Sequence, residues 1–333
     1  MKRKVLFLLP VVAAAAGWAI LTAADRAPVS EVVDFGVTRT AVTPAFDARV
    51  APATRATNRT FRIPVTHDTI DIGNGLKYEG WTFGGTVPGP VIRVRQGDHV
   101  RIVLVNESPM LHSIDFHSAR IPMNVAFRNV NPGDSLVFEF EARDPGAYMV
   151  HCGTPPVLMH IMQGMYLPII VDPRDGWPGE ADKEFVVVQS EFYAGESHDG
   201  HAPMDFQAAQ DKRASHVVFN GRAGQYVDNP LRVDEGDRVR LFVVNAGPSF
   251  RSDFHIVGAI FDRVYLDGNL ANPLRSVQTL SVPAGGGAVF ETSFERGLSG
   301  EGMYAFVTHA FADASKGAVG MIQVGGTRVA MSH

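Results

Sequence analysis

Apolar and polar residues alternate along most of the chain after residue 57. Residues 91–106 contain two alternating runs broken at Gly97 and Asp98, which predicts two strands joined by a turn. Residues 25–57 are instead rich in Ala, Pro, Thr and Arg and have weak periodicity, which predicts an extended arm or linker. The pattern predicts an all-β fold whose regular strands begin near residue 58.

The strand pattern occurs twice. Residues 94–106 and 233–245 align without a gap and are identical at seven of thirteen positions. Each copy is followed by an Asp-Phe-His phrase, ending at His117 and at His255, and later by a Gly-x-Tyr phrase. An internal duplication that builds two β-sandwiches explains this layout. We place the boundary near residues 171–173, which gives domains at 58–172 and 173–330.

Composition supports two domains and limits the partners. Single hydrophobic cores stop growing beyond roughly 250–300 residues, and this chain has 333. Its 33 Gly and 21 Pro suit a fold with many turns. A net charge of −5 provides no basic surface for nucleic acid, so a small substrate or a protein partner is predicted.

The first residues have the pattern of a secretory signal peptide at 1–24. Lys2, Arg3 and Lys4 precede an apolar run that ends in small residues before Asp25. This predicts export to the periplasm or another extracytoplasmic space. An uncleaved anchor is the alternative, because about 20 apolar residues can also span a bilayer.

The chain has a single cysteine, Cys152, and therefore cannot form an internal disulfide. A free cysteine is often a buried structural residue. Here, however, His160 and Met165 follow it in a Cys-x7-His-x4-Met loop, and His112 lies upstream. One thiolate, two imidazoles and a weak axial thioether form a blue-copper site that transfers single electrons. Met159 and Met162 are alternative axial ligands.

A second metal site is predicted from strand alternation. His112 and His117 are five residues apart, and His151 precedes Cys152 directly, so each pair points to opposite faces of a regular strand. With His112 and Cys152 on the first copper, His117 and His151 face a second one. The covalent link between His151 and Cys152 would then connect the two metals.

Two imidazoles are too few to hold a catalytic copper firmly, and the second half of the chain offers His255 and His309. His309 follows a strand that corresponds to the one before Cys152, but no cysteine accompanies it. A histidine there is free to complete a site elsewhere. His255 can equally be a core histidine, and Asp115 a surface carboxylate.

The other histidines carry weaker signals. His198 and His201 have a metal-like spacing but lie in a polar, Gly-rich loop, which favours solvent exposure. The remaining ones have no partners in the sequence and receive no role: His67, His99, His216 and His333.

The motifs at residues 110–117, 151–165, 254–258 and 307–309 resemble those of the copper nitrite reductases, in the group with the shorter Cys-to-His loop. The resemblance extends from about residue 58 to residue 328. It implies two tandem cupredoxin-like domains, each a Greek-key β-sandwich, in a homotrimer. It also implies a dissimilatory nitrite reductase of denitrification, which takes electrons from a small cupredoxin or a cytochrome c.

The resemblance also implies roles for individual residues. The type 1 copper ligands would be His112, Cys152, His160 and Met165. The type 2 copper would bind His117 and His151 of one subunit and His309 of its neighbour, with Asp115 and His255 as the acid pair. Reduction of nitrite to nitric oxide consumes one electron and two protons, which a carboxyl and an imidazole can supply. Val257 falls where the family often has a bulkier Ile.

Two alternative functions remain. A laccase-like multicopper oxidase resembles families with repeated His-x-His pairs and a His-Cys-His phrase, whereas this chain has no His-x-His pair and has Gly153 after Cys152. A non-catalytic electron carrier would use only the blue-copper site, and it would leave His117, His151 and His309 dispensable.

Overall fold

The computed structural model describes residues 29–37, 46–294 and 301–326. The predicted signal peptide at 1–24 lies outside this range. Among the described residues, no helix has the length and apolar character needed to cross a membrane. Strands greatly outnumber helices in the described chain, so the prediction of an all-β fold is confirmed.

The described residues of the first half form nine strands and two short helices. They are β1 (Ser30–Asp34), β2 (Asn58–Gly73), β3 (Leu76–Phe83), β4 (Ile92–Arg95), β5 (His99–Asn106), β6 (Asp115–Phe116), α1 (Met123–Ala126), β7 (Ser135–Glu141), β8 (Gly146–His151), α2 (Val157–Met162) and β9 (Tyr166–Asp172).

The second half contains twelve described strands and three short helices. They are β10 (Lys183–Phe192), β11 (His201–Ala202), α3 (Phe206–Gln210), β12 (His216–Phe219), α4 (Gln225–Asp228), β13 (Leu231–Val233), β14 (Arg238–Gly247), β15 (Ser252–Ile256), β16 (Phe261–Leu266), β17 (Leu274–Val277), β18 (Thr279–Val282), β19 (Gly287–Ser293), β20 (Gly302–Thr308), α5 (Phe311–Ala314) and β21 (Val319–Val324).

Two sheets form the first sandwich. One has the order β11-β3-β2-β5-β7, with β1 paired to β2, and the other has the order β4-β9-β8-β6. Strands β5 and β7 alternate regularly between exposed and inward-facing residues, as expected of a sheet with one face in water. Their inward side chains, among them Ile102, Leu104 and Phe138, form a core that also contains Cys152 and Met165.

The second sandwich consists of the sheets β12-β10-β14-β19-β16-β17 and β13-β21-β20-β15-β18. Strands β9 and β14 are almost entirely buried and do not alternate. A separate apolar cluster accounts for this, because it packs Ala147, Tyr166 and Ile170 of the first half against Phe242 and Val289 of the second. The two sandwiches therefore share a hydrophobic interface, and strands near it are covered on both faces.

The predicted duplication is visible in the strands. The first repeat forms β4 and β5 around the Gly97-Asp98 turn, and the second forms β13 and β14. The final residue of the repeat has the same role in both halves: Asn106 donates to the carbonyls of Met110 and Val130, and Asn245 donates to those of Phe250 and Val282. Each Asn thus fixes a loop that precedes a candidate site segment.

The described part of the predicted arm contains one strand, β1, which pairs in parallel with the start of β2. At the other end of the first sandwich, β9 finishes at Asp172, and β10 begins at Lys183. The proposed domain boundary near residues 171–173 coincides with the end of β9 and stays a prediction.

Candidate metal centres

Three buried donor atoms converge at the edge of the first sandwich. The Nδ1 atoms of His112 and His160 are 3.1 Å apart, and Cys152 Sγ lies 3.9 Å from the first and 3.3 Å from the second. Metal bonds of about 2.0–2.3 Å place nitrogen and sulfur donors roughly 3–4 Å from one another. The spacing and the softness of the donors fit copper.

The loop after β8 brings these donors together. Cys152 follows the last residue of β8 and donates its backbone N–H to the Met165 carbonyl, 3.1 Å away. His160 lies in α2, and its carbonyl accepts from the Met165 N–H at 3.2 Å. Met165 is buried in the same core as Cys152. Of the alternative axial residues, Met162 packs in the core of the second sandwich, and Met159 is only partly buried.

Burial sets the protonation of this first cluster. It lowers the pKa of His112 to about 3 and that of His160 to about 4. Both imidazoles are therefore neutral at neutral pH, with a lone pair for a metal. Burial also raises the pKa of the Cys152 thiol, although the Ser113 N–H, 3.3 Å from Sγ, works in the opposite direction. A bound metal must displace the thiol proton.

The second cluster lies on the other side of the His151–Cys152 peptide bond. The Nε2 atoms of His117 and His151 are 3.1 Å apart, and Asp115 Oδ2 is 3.8 Å from the first and 3.7 Å from the second. These side chains are 32%, 13% and 40% exposed for His117, His151 and Asp115. Unlike the first cluster, this one is open to a small molecule.

Hydrogen bonds direct both Nε2 atoms into the second cluster. His117 donates from Nδ1 to the carbonyl of Gly285, 2.9 Å away, in a turn of the second sandwich. His151 donates from Nδ1 to the carbonyl of Cys152, also at 2.9 Å. Burial lowers the pKa of His151. With Nδ1 donating, the neutral form of each ring has its lone pair on Nε2, the atom that faces the cluster.

His112 and His117 lie in different clusters, as their spacing predicts. The segment between them is, however, not a regular strand. His112 makes only an isolated bridge with Val130, and β6 covers no more than Asp115 and Phe116. His151 does lie in a regular strand: it is the last residue of β8 and is paired with Asp115 across the sheet.

The remaining predicted residues form a separate group in the second sandwich. The rings of His255 and His309 lie 5.4 Å apart. His255 donates from Nδ1 to the Gln278 carbonyl at 2.6 Å, and the His309 N–H donates to the Asp253 carbonyl at 2.7 Å. Neither ring belongs to the cluster of Asp115, His117 and His151 in the described part of one chain.

Sequence reasoning missed several residues around the centres. His67 contacts His112, with 3.1 Å between their Nε2 atoms, and it stacks on Trp81. Gly285 orients His117. These contacts join residues far apart in the chain, so no local motif could have indicated them. His198 and His201, by contrast, are exposed, as predicted.

Packing explains why residue 153 is a glycine. A Cβ atom at this position would lie 1.7 Å from Cζ of Phe127, which packs against the peptide after Cys152. No side chain fits there without displacing that ring. The His-Cys-His phrase of the laccase-like alternative is therefore incompatible with this packing.

Comparisons with known proteins agree with the geometry. A family model described as multicopper oxidase matches residues 64–176. The copper-containing nitrite reductase of Neisseria gonorrhoeae is 40% identical over 273 residues, which cover 80% of this chain and 68% of that protein. The structure of the copper nitrite reductase of Nitrosomonas europaea aligns with a TM-score of 0.74 at 36% identity, covering 80% of this chain and 94% of that one.

A more distant solved structure, described as a multicopper oxidase, aligns with a TM-score of 0.71 at 26% identity and covers 83% of this chain and 93% of that one. The predicted cupredoxin-like fold agrees with the nitrite reductase structures. With its sequence relatives and its copper-type donor sets, the chain belongs to the family of copper-containing nitrite reductases.

Proposed function

We propose that this protein is a copper-dependent nitrite reductase that converts nitrite to nitric oxide. The observation that carries the proposal is a pair of unlike donor clusters joined by adjacent residues. His112, Cys152 and His160 form a buried cluster that suits electron transfer. Asp115, His117 and His151 form a cluster open to solvent, which suits substrate binding.

The four type 1 ligands proposed are His112, Cys152, His160 and Met165. His117 and His151 hold the type 2 site, with two coppers per subunit in total. When bound, copper supplies a one-electron redox couple at both sites and a binding position for nitrite at the second. The peptide bond between His151 and Cys152 is the shortest covalent connection between the clusters.

Conversion of nitrite to nitric oxide and water consumes one electron and two protons. Asp115 Oδ2 lies within 3.8 Å of both Nε2 atoms of the second cluster. A substrate bound there meets this carboxyl, which can hold and deliver a proton. His255 is the second proposed proton donor, and its ring is held by the Gln278 carbonyl.

Within the described part of one chain the type 2 site has only two imidazole ligands, and imidazole is the nitrogen donor that suits copper. His309 is the proposed third ligand. It lies beside His255 rather than beside His117. We infer that His309 and His255 come from the neighbouring subunit of a homotrimer, which places each type 2 site at a subunit interface.

Two further parts of the proposal concern the cellular setting. The basic and apolar pattern of residues 1–24 supports export to the periplasm. An exported reductase needs an electron donor in the same compartment, and a small cupredoxin or a cytochrome c would serve.

The test is nitric oxide release by the copper-loaded full chain, supplied with nitrite and an artificial reductant under anaerobic conditions. We expect turnover at about two coppers per chain. The Cys152→Ser variant is the control, because it removes the thiolate and with it the blue or green colour and electron delivery. Its type 2 site should still bind copper.

Other results would point to the alternatives. A protein with both sites filled and no nitric oxide release would contradict the proposal. About one copper per chain would indicate an electron carrier, and about four with oxygen consumption would indicate a multicopper oxidase.

A further inference from the structure

His67 lies directly behind the first metal cluster. Its Nε2 is 3.1 Å from Nε2 of His112, whose other nitrogen, Nδ1, faces His160 and Cys152. His112 is fully buried, whereas His67 is partly exposed. His67 is therefore the described side chain that contacts the outer nitrogen of a proposed copper ligand.

The ring of His67 is held in a fixed plane. His67 on β2 and Trp81 on β3 are cross-strand partners, and their rings stack with centroids 4.9 Å apart and planes 7° apart. The backbone N–H of Trp81 donates to the Gln163 carbonyl, 2.9 Å away, just after α2. The indole ring also packs edge-to-face with His112 and His160. The stacked pair thus belongs to the wall of the site.

The contact between the two imidazoles determines where their protons lie. Two ring nitrogens at 3.1 Å form a hydrogen bond only when one donates and the other accepts. If Nδ1 of His112 binds a metal, its proton is on Nε2, which must donate. His67 is then the acceptor at Nε2 and carries its own proton on Nδ1.

We propose that His67 is a positioning residue for the type 1 copper: it accepts the Nε2 proton of His112 and so holds the tautomer and ring orientation in which Nδ1 binds metal. The inference rests on the proposed assignment of His112 as a ligand. Partners of this kind raise the basicity of a ligating imidazole, and their loss commonly weakens metal binding by about 10–100-fold.

The sign of the effect on the redox couple follows from charge. A more basic imidazole stabilises Cu(II) more than Cu(I). Removing the acceptor should therefore weaken Cu(II) binding more than Cu(I) binding and raise the reduction potential. Each factor of ten in the ratio of the two affinities corresponds to about 59 mV for a one-electron couple.

Two substitutions separate the hydrogen bond from the stacking. His67→Phe keeps an aromatic ring for Trp81 but removes the acceptor. His67→Gln removes the ring but keeps an amide oxygen able to accept near the position of Nε2. On the copper-loaded full chain, we would measure the thiolate-to-Cu(II) absorption band, its EPR signal and the reduction potential in an anaerobic titration.

We expect His67→Phe to raise the reduction potential and alter the EPR signal, with a loss of Cu(II) affinity of about 10–100-fold. His67→Gln should stay close to the wild type. Equal potentials and spectra in wild type and His67→Phe would overturn the inference, as would equal disturbance in both variants, since that would assign the effect to stacking.

A second pair of variants and the wild-type spectrum complete the test. If urea unfolding shows that His67→Phe is not folded, His67→Gln and His67→Met make the same comparison. Both side chains are flexible and of similar length, but Gln has a strong acceptor oxygen whereas the Met sulfur accepts only weakly. A wild-type protein without a thiolate-to-copper band would contradict the proposed site itself. A wild-type band with no response to loss of the acceptor would contradict only the role of His67.

Discussion

Glu191 is a carboxylate fully buried in the second sandwich. It accepts hydrogen bonds from the hydroxyl of Tyr193 and from the backbone N–H groups of Ser249 and Phe250. These two amides belong to the loop before β15, which carries His255. Burial raises the pKa of Glu191, and the three hydrogen bonds offset that effect only in part.

This raised pKa predicts a pH-dependent stability. A group whose pKa is higher in the folded state binds protons more strongly there, so its stabilising contribution is lost as pH rises through the folded-state pKa. The ordinary value is 4.5. Glu191→Gln removes this titration. We expect the free energy of unfolding of the variant, relative to the wild type, to increase as pH rises above that value.

Urea unfolding across a pH series measures this difference. Glu141→Gln is the control, since it removes one carboxylate from a side chain that is 48% exposed. A relative stability of Glu191→Gln that did not change with pH, or that changed equally in the control, would show that burial of Glu191 does not shift its protonation.

Single residues also show how far the sequence could predict the candidate site. Cys152, His160 and Met165 lie in one loop of fixed spacing, so their proximity was predictable. His67 was not, because it is 45 residues from His112 in the chain and approaches it through the pairing of β2 with β5, the strand that precedes the His112 segment. A side chain that acts across a sheet leaves no local pattern.

At the scale of elements, the duplication preserves a turn as well as strands. The N–H of Gly133 donates to the Asn106 carbonyl, and the N–H of Gly285 donates to the Asn245 carbonyl, both at 2.8 Å. Both glycines have positive φ values, +82° and +80°. Only the second turn touches a proposed ligand, since the Gly285 carbonyl accepts from His117.

This pair of turns gives a matched prediction. In Gly285→Ala the new Cβ would lie 3.3 Å from Cε1 of His117, so the imidazole must shift by a few tenths of an ångström. Because this shift moves a proposed ligand, we expect weaker binding of type 2 copper and lower nitrite turnover, with the type 1 colour retained. Metal analysis and visible absorption of the purified variant would measure both effects.

Gly133→Ala is the control, because its Cβ would meet no atom within 4 Å while its φ is equally unfavourable. Both variants should lose about 1–2 kcal/mol of stability from the left-handed conformation. Only Gly285→Ala should bind type 2 copper more weakly. Weaker binding of type 2 copper by both variants would mean that general destabilisation, rather than contact with His117, perturbs the site.

The elements themselves were predictable where one face of a strand meets water. The two strands around Gly97 and Asp98 and their repeat are confirmed. The segment from His112 to His117 was expected to be a regular strand. It is mostly irregular, and only the two residues of β6 pair in a sheet. Alternation still predicted the separation of His112 from His117, although only Asp115 and Phe116 of this segment form a strand.

At the scale of the whole molecule, the two sandwiches are joined by charge as well as by apolar packing. Arg93 of the first half pairs with Asp172 at 2.8 Å and with Glu184 of the second half at 2.6 Å. Arg240 pairs with the same Glu184 at 2.6 Å. These ion pairs and the shared apolar cluster hold the two sandwiches together. Such an interface depends on tertiary packing, which strand periodicity does not encode.

The proposed type 2 site is shared between two subunits of the assembly. In a ring of identical subunits, each interface combines one surface of one chain with a different surface of the next. His117 and His151 would then come from one chain and His309 from its neighbour. This arrangement makes inactive variants able to complement each other.

His151→Ala and His309→Ala should each be inactive alone and retain their type 1 ligands. Co-expressed in equal amounts, they should regain about a quarter of the wild-type nitrite turnover, because a randomly assembled interface has that chance of joining an intact His151 to an intact His309. If all three histidines served a site within one chain, every site in the mixture would still lack one ligand. Restored turnover therefore requires His309 to act in the neighbouring subunit, and a mixture as inactive as its components would contradict the shared site.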